Sequence, residues 1–190
     1  MKVQTASLKG EVITDFAEAR NKELQTAKAE WVFFVDLDEK VTPALTREIA
    51  NLKPGQCAAF FVKRRNYFLG SDVGEDKIIR LVKKGSGNWQ RRVHETFCPR
   101  GDVVVGVLKN PLIHYTATNL RDYLVKINSF SSLHALANRE EGKKATLFKI
   151  IFYPKAKFIL TFVKSRHFVF SLMQALHSFL AWSKLYFSQF

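Results

Sequence analysis

At 190 residues with 47% hydrophobic side chains, the chain holds apolar material for one ordinary core, which argues against several full domains. A formal net charge of +13 and a pI near 9.9 draw it to polyanions, whether nucleic acid, anionic lipid or a nucleotide diphosphate, without choosing among them. Cys57 and Cys98 share no CxxC or Cys/His spacing, which excludes a disulfide framework and a structural zinc site and suits a reducing cytosolic setting; the first residues lack the apolar core of a secretory signal.

Asp15 followed by Glu18 makes a capping-box pattern, and Phe16, Ala19, Arg20, Glu23, Leu24 and Ala27 recur at helical spacing, predicting a helix over 15–29. Trp31-Val32-Phe33-Phe34-Val35 is too short for a helix and too continuous for a half-exposed strand, so it predicts a central, buried strand. That run stops at Asp36-Leu37-Asp38-Glu39. Thr42 as N-cap and Pro43 at the first helical position then open a short helix to about Asn51. Beyond a turn at Lys53-Pro54-Gly55, residues 57–65, 77–83, 103–108 and 112–115 read as further strands, and Lys83 to Gly87 as a hairpin turn. Thr118 is placed to cap a long helix whose Leu120, Tyr123, Leu124, Ile127, Phe130, Leu133 and Ala137 keep one apolar face to near Gly142. The fold class is α/β, a mixed sheet with helices on both faces.

The composition changes near residue 145, giving a first domain over 1–145 and a helical region over 146–190. From Thr146 to Phe190 there is no Asp or Glu, while Lys149, Lys155, Lys157, Lys164, Arg166 and Lys184 give +6 and nine of the seventeen phenylalanines fall here. Amphipathic helices of this kind suit the interface of an anionic leaflet. The longest uncharged stretch, His167 to Ser183, falls short of the roughly 20 apolar residues of a spanning helix, so lying on the membrane is favoured over crossing it. The plainer reading is that these helices pack on the domain or against another subunit.

Asp36 and Asp38 at a strand end suit a hard divalent cation, Mg²⁺ or Mn²⁺, that leaves positions open for phosphate oxygens. Acidic turns after strands are also common and merely solvated. A calcium loop is excluded, since Lys40 and Val41 stand where a ligand and a glycine belong, and His94-Glu95 is no zinc-protease motif because Cys98 stands at the second histidine position.

The order of DFAEARNKELQTAKAEWVFFVDLDE resembles the inverting family 2 glycosyltransferases of the GT-A fold, notably bacterial enzymes of lipopolysaccharide-core and cell-envelope biosynthesis. In that family a helix bearing an Arg-Asn pair precedes an apolar strand ending in an acidic DxD motif, as Arg20-Asn21 and Asp36 to Glu39 do here. Lys77 to Leu81, Trp89, Val93-His94-Glu95 and Asn110 to Tyr115 follow in the family's order. The resemblance implies a nucleotide-diphosphate sugar donor and a lipid-linked or envelope glycan acceptor. It implies that Arg20, Asn21 and Asp36 contact the donor, that Asp38 is the principal metal ligand with Asp36 beside it, and that Glu39 supports the loop. Glu95 is then the general base, with His94 the alternative base or a ligand, and Arg91, Arg92 and Arg100 are placed to clamp a phosphate. A hydrogen-bonded turn at His94-Glu95 and a solvated basic face are the plainer readings.

Against the family, only fourteen residues precede the helix, fewer than a βαβ unit needs, so the first, nucleotide-binding strands are expected to be missing, leaving a bare strand edge or a partner chain that supplies them. The chain therefore reads as a partial GT-A enzyme, peripheral at the inner face of the cell membrane. The competing reading is a non-catalytic basic module for anionic membrane or nucleic acid; no aromatic and basic pattern of an RNA-binding sheet occurs, so nucleic acid is not expected.

Overall fold

The computed structural model describes residues 1–8 and 13–189; Phe190, the last residue of the predicted aromatic tail, lies outside them. Among the described residues the order is β1 (Val3–Ala6), α1 (Phe16–Thr26), β2 (Trp31–Phe34), β3 (Glu39–Val41), α2 (Pro43–Ala50), β4 (Cys57–Phe68), β5 (Ser71–Lys83), β6 (Gly87–Gln90), β7 (Thr96–Pro99), β8 (Val104–Val107), β9 (Leu112–Ala117), α3 (Leu120–Glu140), α4 (Leu147–Ser165) and α5 (Phe168–Phe187). The fold is α/β, with the main sheet in the order β1-β2-β5-β4-β9-β3, β8 beside β4, and β6-β7 as a separate hairpin. The chain divides into two compact units, Met1–Asn66 with Glu75–Tyr115, and Tyr67–Gly74 with Thr116–Phe190.

In the first unit β2 is buried on both faces, as its unbroken apolar run requires. Val32 and Phe34 meet Ala17 and Leu24 of α1 and Trp89 and Phe97 of the β6-β7 hairpin. Trp31 and Phe33 point the other way, to Leu45 and Ile49 of α2 and to Phe60, Leu81 and Leu112. The period-two alternation of a strand thus sorts four consecutive apolar residues into two cores, with a helix over each.

One expectation is overturned at the start of the chain. Val3–Ala6 pairs in parallel with Trp31–Phe34, so the β2 edge expected to be bare is covered, and β1, α1 and β2 form a parallel strand–helix–strand unit of roughly the 30 residues such a unit takes. The long helix is capped not by Thr118 but by its neighbour Asn119, whose side chain accepts from Asp122 N, because the amide oxygen reaches the third residue from that position. The Lys83 to Gly87 turn connects β5 to a strand of the other sheet and so closes no hairpin.

Helix α2 also fixes the approach to β9. Glu48 accepts the main-chain N–H groups of Lys109 (2.8 Å) and Asn110 (2.9 Å) and the Asn110 side-chain amide (2.8 Å). Burial pushes this carboxyl up, but the hydrogen bonds from Lys109 and Asn110 outweigh it and hold its pKa below the usual value. A depressed folded pKa means that the stabilisation is complete above the unfolded carboxylate pKa and is lost as pH falls through the folded one. Glu48→Gln should therefore cost about 1 kcal/mol near neutrality. The gap to the parent should narrow as pH falls through the lowered folded pKa, read as the difference in urea midpoints at about pH 7 and about pH 3.

In the second unit Phe68 and Val73 pack with Ala117, Tyr123 and Ile127, against Phe170, Met173 and Leu180 of α5. Burial pushes the Tyr123 phenol up to about 12, and its oxygen accepts from Gln174. Lys184 of α5 reaches Asn128, Ser131 and Ser132 of α3, tying the two helices. Among the described residues no helix is long and apolar enough to cross a membrane.

Candidate active site

The site grows from the carboxyl end of β2. The chain leaves Phe34, crosses through Val35 to Asp38, and enters β3, where Glu39 registers opposite His114 of β9. This crossing brings the acidic run past arginines on β5 and β4 in turn, and the Asp36 and Glu39 carboxylates meet them.

Arg20 projects from α1 and is 1% exposed. Its Nε donates to Glu95 Oε1 at 2.7 Å and its Nη2 to Asp36 Oδ1 at 2.9 Å, so one guanidinium joins residues from three separate elements. The Phe34 and Trp89 rings each lie 5.3 Å from its central carbon, which accounts for the apolar side of the group. Helix α1 is positioned for this at its first turn: Asp15 accepts from Glu18 N, and Phe16 N donates to Arg92 O at 2.9 Å.

Arg80 of β5 continues the chain of contacts. Its Nη2 donates to Asp36 Oδ2 and, at 2.6 Å, to Glu39 Oε1, while the other Glu39 oxygen accepts Asp36 N–H at 2.9 Å. Arg64 of β4 lies 3.4 Å from Glu39 Oε1 and grips Asp76 with both arms of its fork, at 3.0 and 2.7 Å. Asn66 then faces His114 Nδ1 at 2.7 Å, and His114 Nε2 stands 3.4 Å from Asp38 Oδ2. Burial pushes the Asp36 carboxyl up, but the Arg80 and Arg20 guanidiniums together outweigh it and hold its pKa below the ordinary value. Asp76 is likewise lowered by Arg64 against its own desolvation. Arg20, Arg64 and Arg80 face the carboxylates of Asp36, Glu39, Asp76 and Glu95, while His114 faces Asp38.

The structure thus gathers Arg20, Asp36 and Glu95. Asp38 lies beside them in the same loop, a third exposed on its side chain. Both ends of the Asn21 amide are taken by the Trp89 main chain, at 2.9 and 2.8 Å, fastening β6 to α1. Arg91, Arg92 and His94 occupy the loop between β6 and β7. Arg91 donates to Val93 O at 3.0 Å, and Arg92 lies 3.7 Å from Asp15. Arg91 and the exposed His94 hold φ of 75° and 54°, a left-handed backbone that costs a non-glycine residue about 1–2 kcal/mol. Such strain concentrates where side-chain direction matters. Arg100 is exposed beyond β7.

The sequence reading did not assign Arg80, Arg64, Asn66, Asp76 or His114. Arg80 had a signal: a charge inside Ile78-Ile79-Arg80-Leu81-Val82 must find partners when that strand is buried. For a divalent cation, both Asp36 oxygens are engaged by guanidinium, and Asp38 Oδ2 faces His114 Nε2 at 3.4 Å. Among the described residues no group of three His, Cys, Asp or Glu side chains is arranged to hold a metal ion. Mg²⁺ sites completed by substrate phosphates use one or two carboxylates, and Asp38 would be the carboxylate of such a site.

No protein-family profile matches the chain. It is similar to the lipopolysaccharide core biosynthesis glycosyltransferase LpsC of Rhizobium meliloti (strain 1021), with 26% identity over 187 residues, covering 90% of this chain and 69% of that protein.

Proposed function

We propose that the chain is a family 2, GT-A-type glycosyltransferase that moves a sugar, with inversion, from a nucleotide diphosphate to a lipid-linked or envelope glycan such as a lipopolysaccharide core. One observation carries this reading: Arg20 holds Glu95 and Asp36 on a single guanidinium beside Asp38, at the end of a buried strand. The likeness to LpsC supports the reaction class.

In this reading Glu95 Oε2, the oxygen turned from Arg20, takes the proton of the acceptor hydroxyl as that oxygen bonds to the anomeric carbon. The bond from that carbon to the diphosphate breaks at the same time, and its electron pair leaves on the diphosphate. A divalent cation at Asp38 and His114, when bound, supplies Lewis-acid stabilisation of that leaving group. Arg91 and Arg92, four and three residues before Glu95, add fixed positive charge to the diphosphate side. Arg20, Arg80 and Glu39 hold Asp36 and the loop in place, with Asp36 oriented toward the donor sugar or ribose, and Asn21 fastens the hairpin that carries the base. The acceptor is met at the cytoplasmic face of an anionic membrane.

Calorimetry with UDP in the presence of Mn²⁺ tests the cation role. Binding should be lost on chelation and in Asp38→Ala, and should weaken at least about tenfold in His114→Ala. Binding by Asp38→Ala equal to that of the parent removes the cation from this loop.

A further inference from the structure

We propose that α4 is the element that seats the chain on a membrane, lying flat in the headgroup region of an anionic leaflet; the inference rests on the proposed membrane-side setting and not on the transfer chemistry. None of the 19 residues of α4 is buried. Phe148, Ile159, Leu160 and Val163 are 59–62% exposed, at positions where a globular helix would carry polar groups. At 100° per residue Phe148, Phe152, Ile159 and Val163 fall within a stripe about 60° wide, widened by Leu160 on one flank. Lys155 lies beside the stripe with the exposed Ile151 and Leu147 beyond it, and Lys157 and Lys164 lie past Leu160 on the other flank, so exposed apolar and cationic side chains share the surface of this helix.

Charge selects the occupant. After Glu141 the chain has no acidic residue, and α4 carries four lysines with Arg166 at its end. A second copy docked on this face would set lysine rows against lysine rows with no carboxylate on either helix to answer them. An anionic bilayer answers both features, its acyl boundary taking the phenylalanines and aliphatic residues and its phosphates taking the lysines. Lys149 is less available, because its Nζ already donates to Lys144 O at 2.6 Å and lies over the Trp182 ring.

Flotation of the full chain with vesicles tests this without donor or acceptor sugar, so its result is independent of the transferase reading. Binding is expected to vesicles of phosphatidylcholine with about a third phosphatidylglycerol and not to phosphatidylcholine alone, and to weaken as salt is raised. Lys155→Glu with Lys164→Glu should cut partitioning at least about tenfold, and Phe148→Ser with Ile159→Ser by a comparable factor, with parental helix content by circular dichroism. Lys155→Glu alone, at an exposed position whose ammonium lies 5.4 Å from the Phe152 ring centroid, should still lower binding. Equal binding to neutral and anionic vesicles, or variants that bind like the parent, overturns the proposal. So does a dimer in light scattering that Ile159→Ser dissociates in the absence of lipid.

Discussion

Replacing Arg20 by alanine should destabilise the first unit by about 3–5 kcal/mol, the range found when one partner of a buried ion pair is removed. Arg20 is 1% exposed, and the Asp36 and Glu95 side chains are 29% and 15% exposed, so water reaches these carboxylates only in part. Asp36 keeps Arg80, which moderates its loss, but Glu95 loses the cation that faces it at 2.7 Å. The two aromatic faces over the guanidinium forfeit about 0.5–1 kcal/mol each, and the emptied volume beside Phe34 adds a cavity cost. Arg20→Lys should recover little, because a single ammonium cannot serve Asp36 and Glu95 from one planar fork. Urea unfolding gives the number, and a double-mutant cycle with Glu95→Ala should return a coupling of about 1–3 kcal/mol. A loss below about 1 kcal/mol for Arg20→Ala would mean that the network is ornamental to folding.

What was legible in the sequence is what local chemistry decides. Asp15 caps α1 through Glu18 N, and Thr42 caps α2 through Leu45 N, each three residues away, so pattern alone locates them. The burial of β2 follows from its continuous apolar run. By contrast β1 and β3 are four and three residues long and exist through their partners, β2 and β9, which no local pattern reveals. The turn between β4 and β5 is Leu69-Gly70, both with positive φ, and leucine there hides a turn that asparagine would have announced. The site shows the same division. Arg20, Asp36 and Glu95 carry recognisable chemistry, yet 75 positions separate Arg20 from Glu95, and the resemblance implied a donor contact for Arg20 where two carboxylates occupy its fork. Non-local ion pairing is fixed by the crossing of the chain from β2 to β3, a tertiary event.

Glu95→Gln should lower kcat by about 10²–10⁴ while leaving folding near the parent's, the span that a positioned general base contributes. Glutamine is the informative replacement because its amide oxygen can still accept Arg20 Nε, so the loop and Asp36 keep their places while the basic oxygen is gone. KM for the donor and Mn²⁺-dependent UDP binding should therefore stay within a few-fold, separating loss of chemistry from loss of the site. Glu95→Ala should add a stability loss that Glu95→Gln does not, since it leaves Arg20 without that acceptor. His94 provides the contrast: it is adjacent and exposed, and His94→Ala should cost far less than Glu95→Gln if the carboxylate is the base. Initial rates of sugar transfer for the three variants decide between the neighbours. A Glu95→Gln enzyme retaining more than about a tenth of parental kcat, beside a dead His94→Ala, would move the proton to the imidazole and leave Glu95 as an anchor for Arg20.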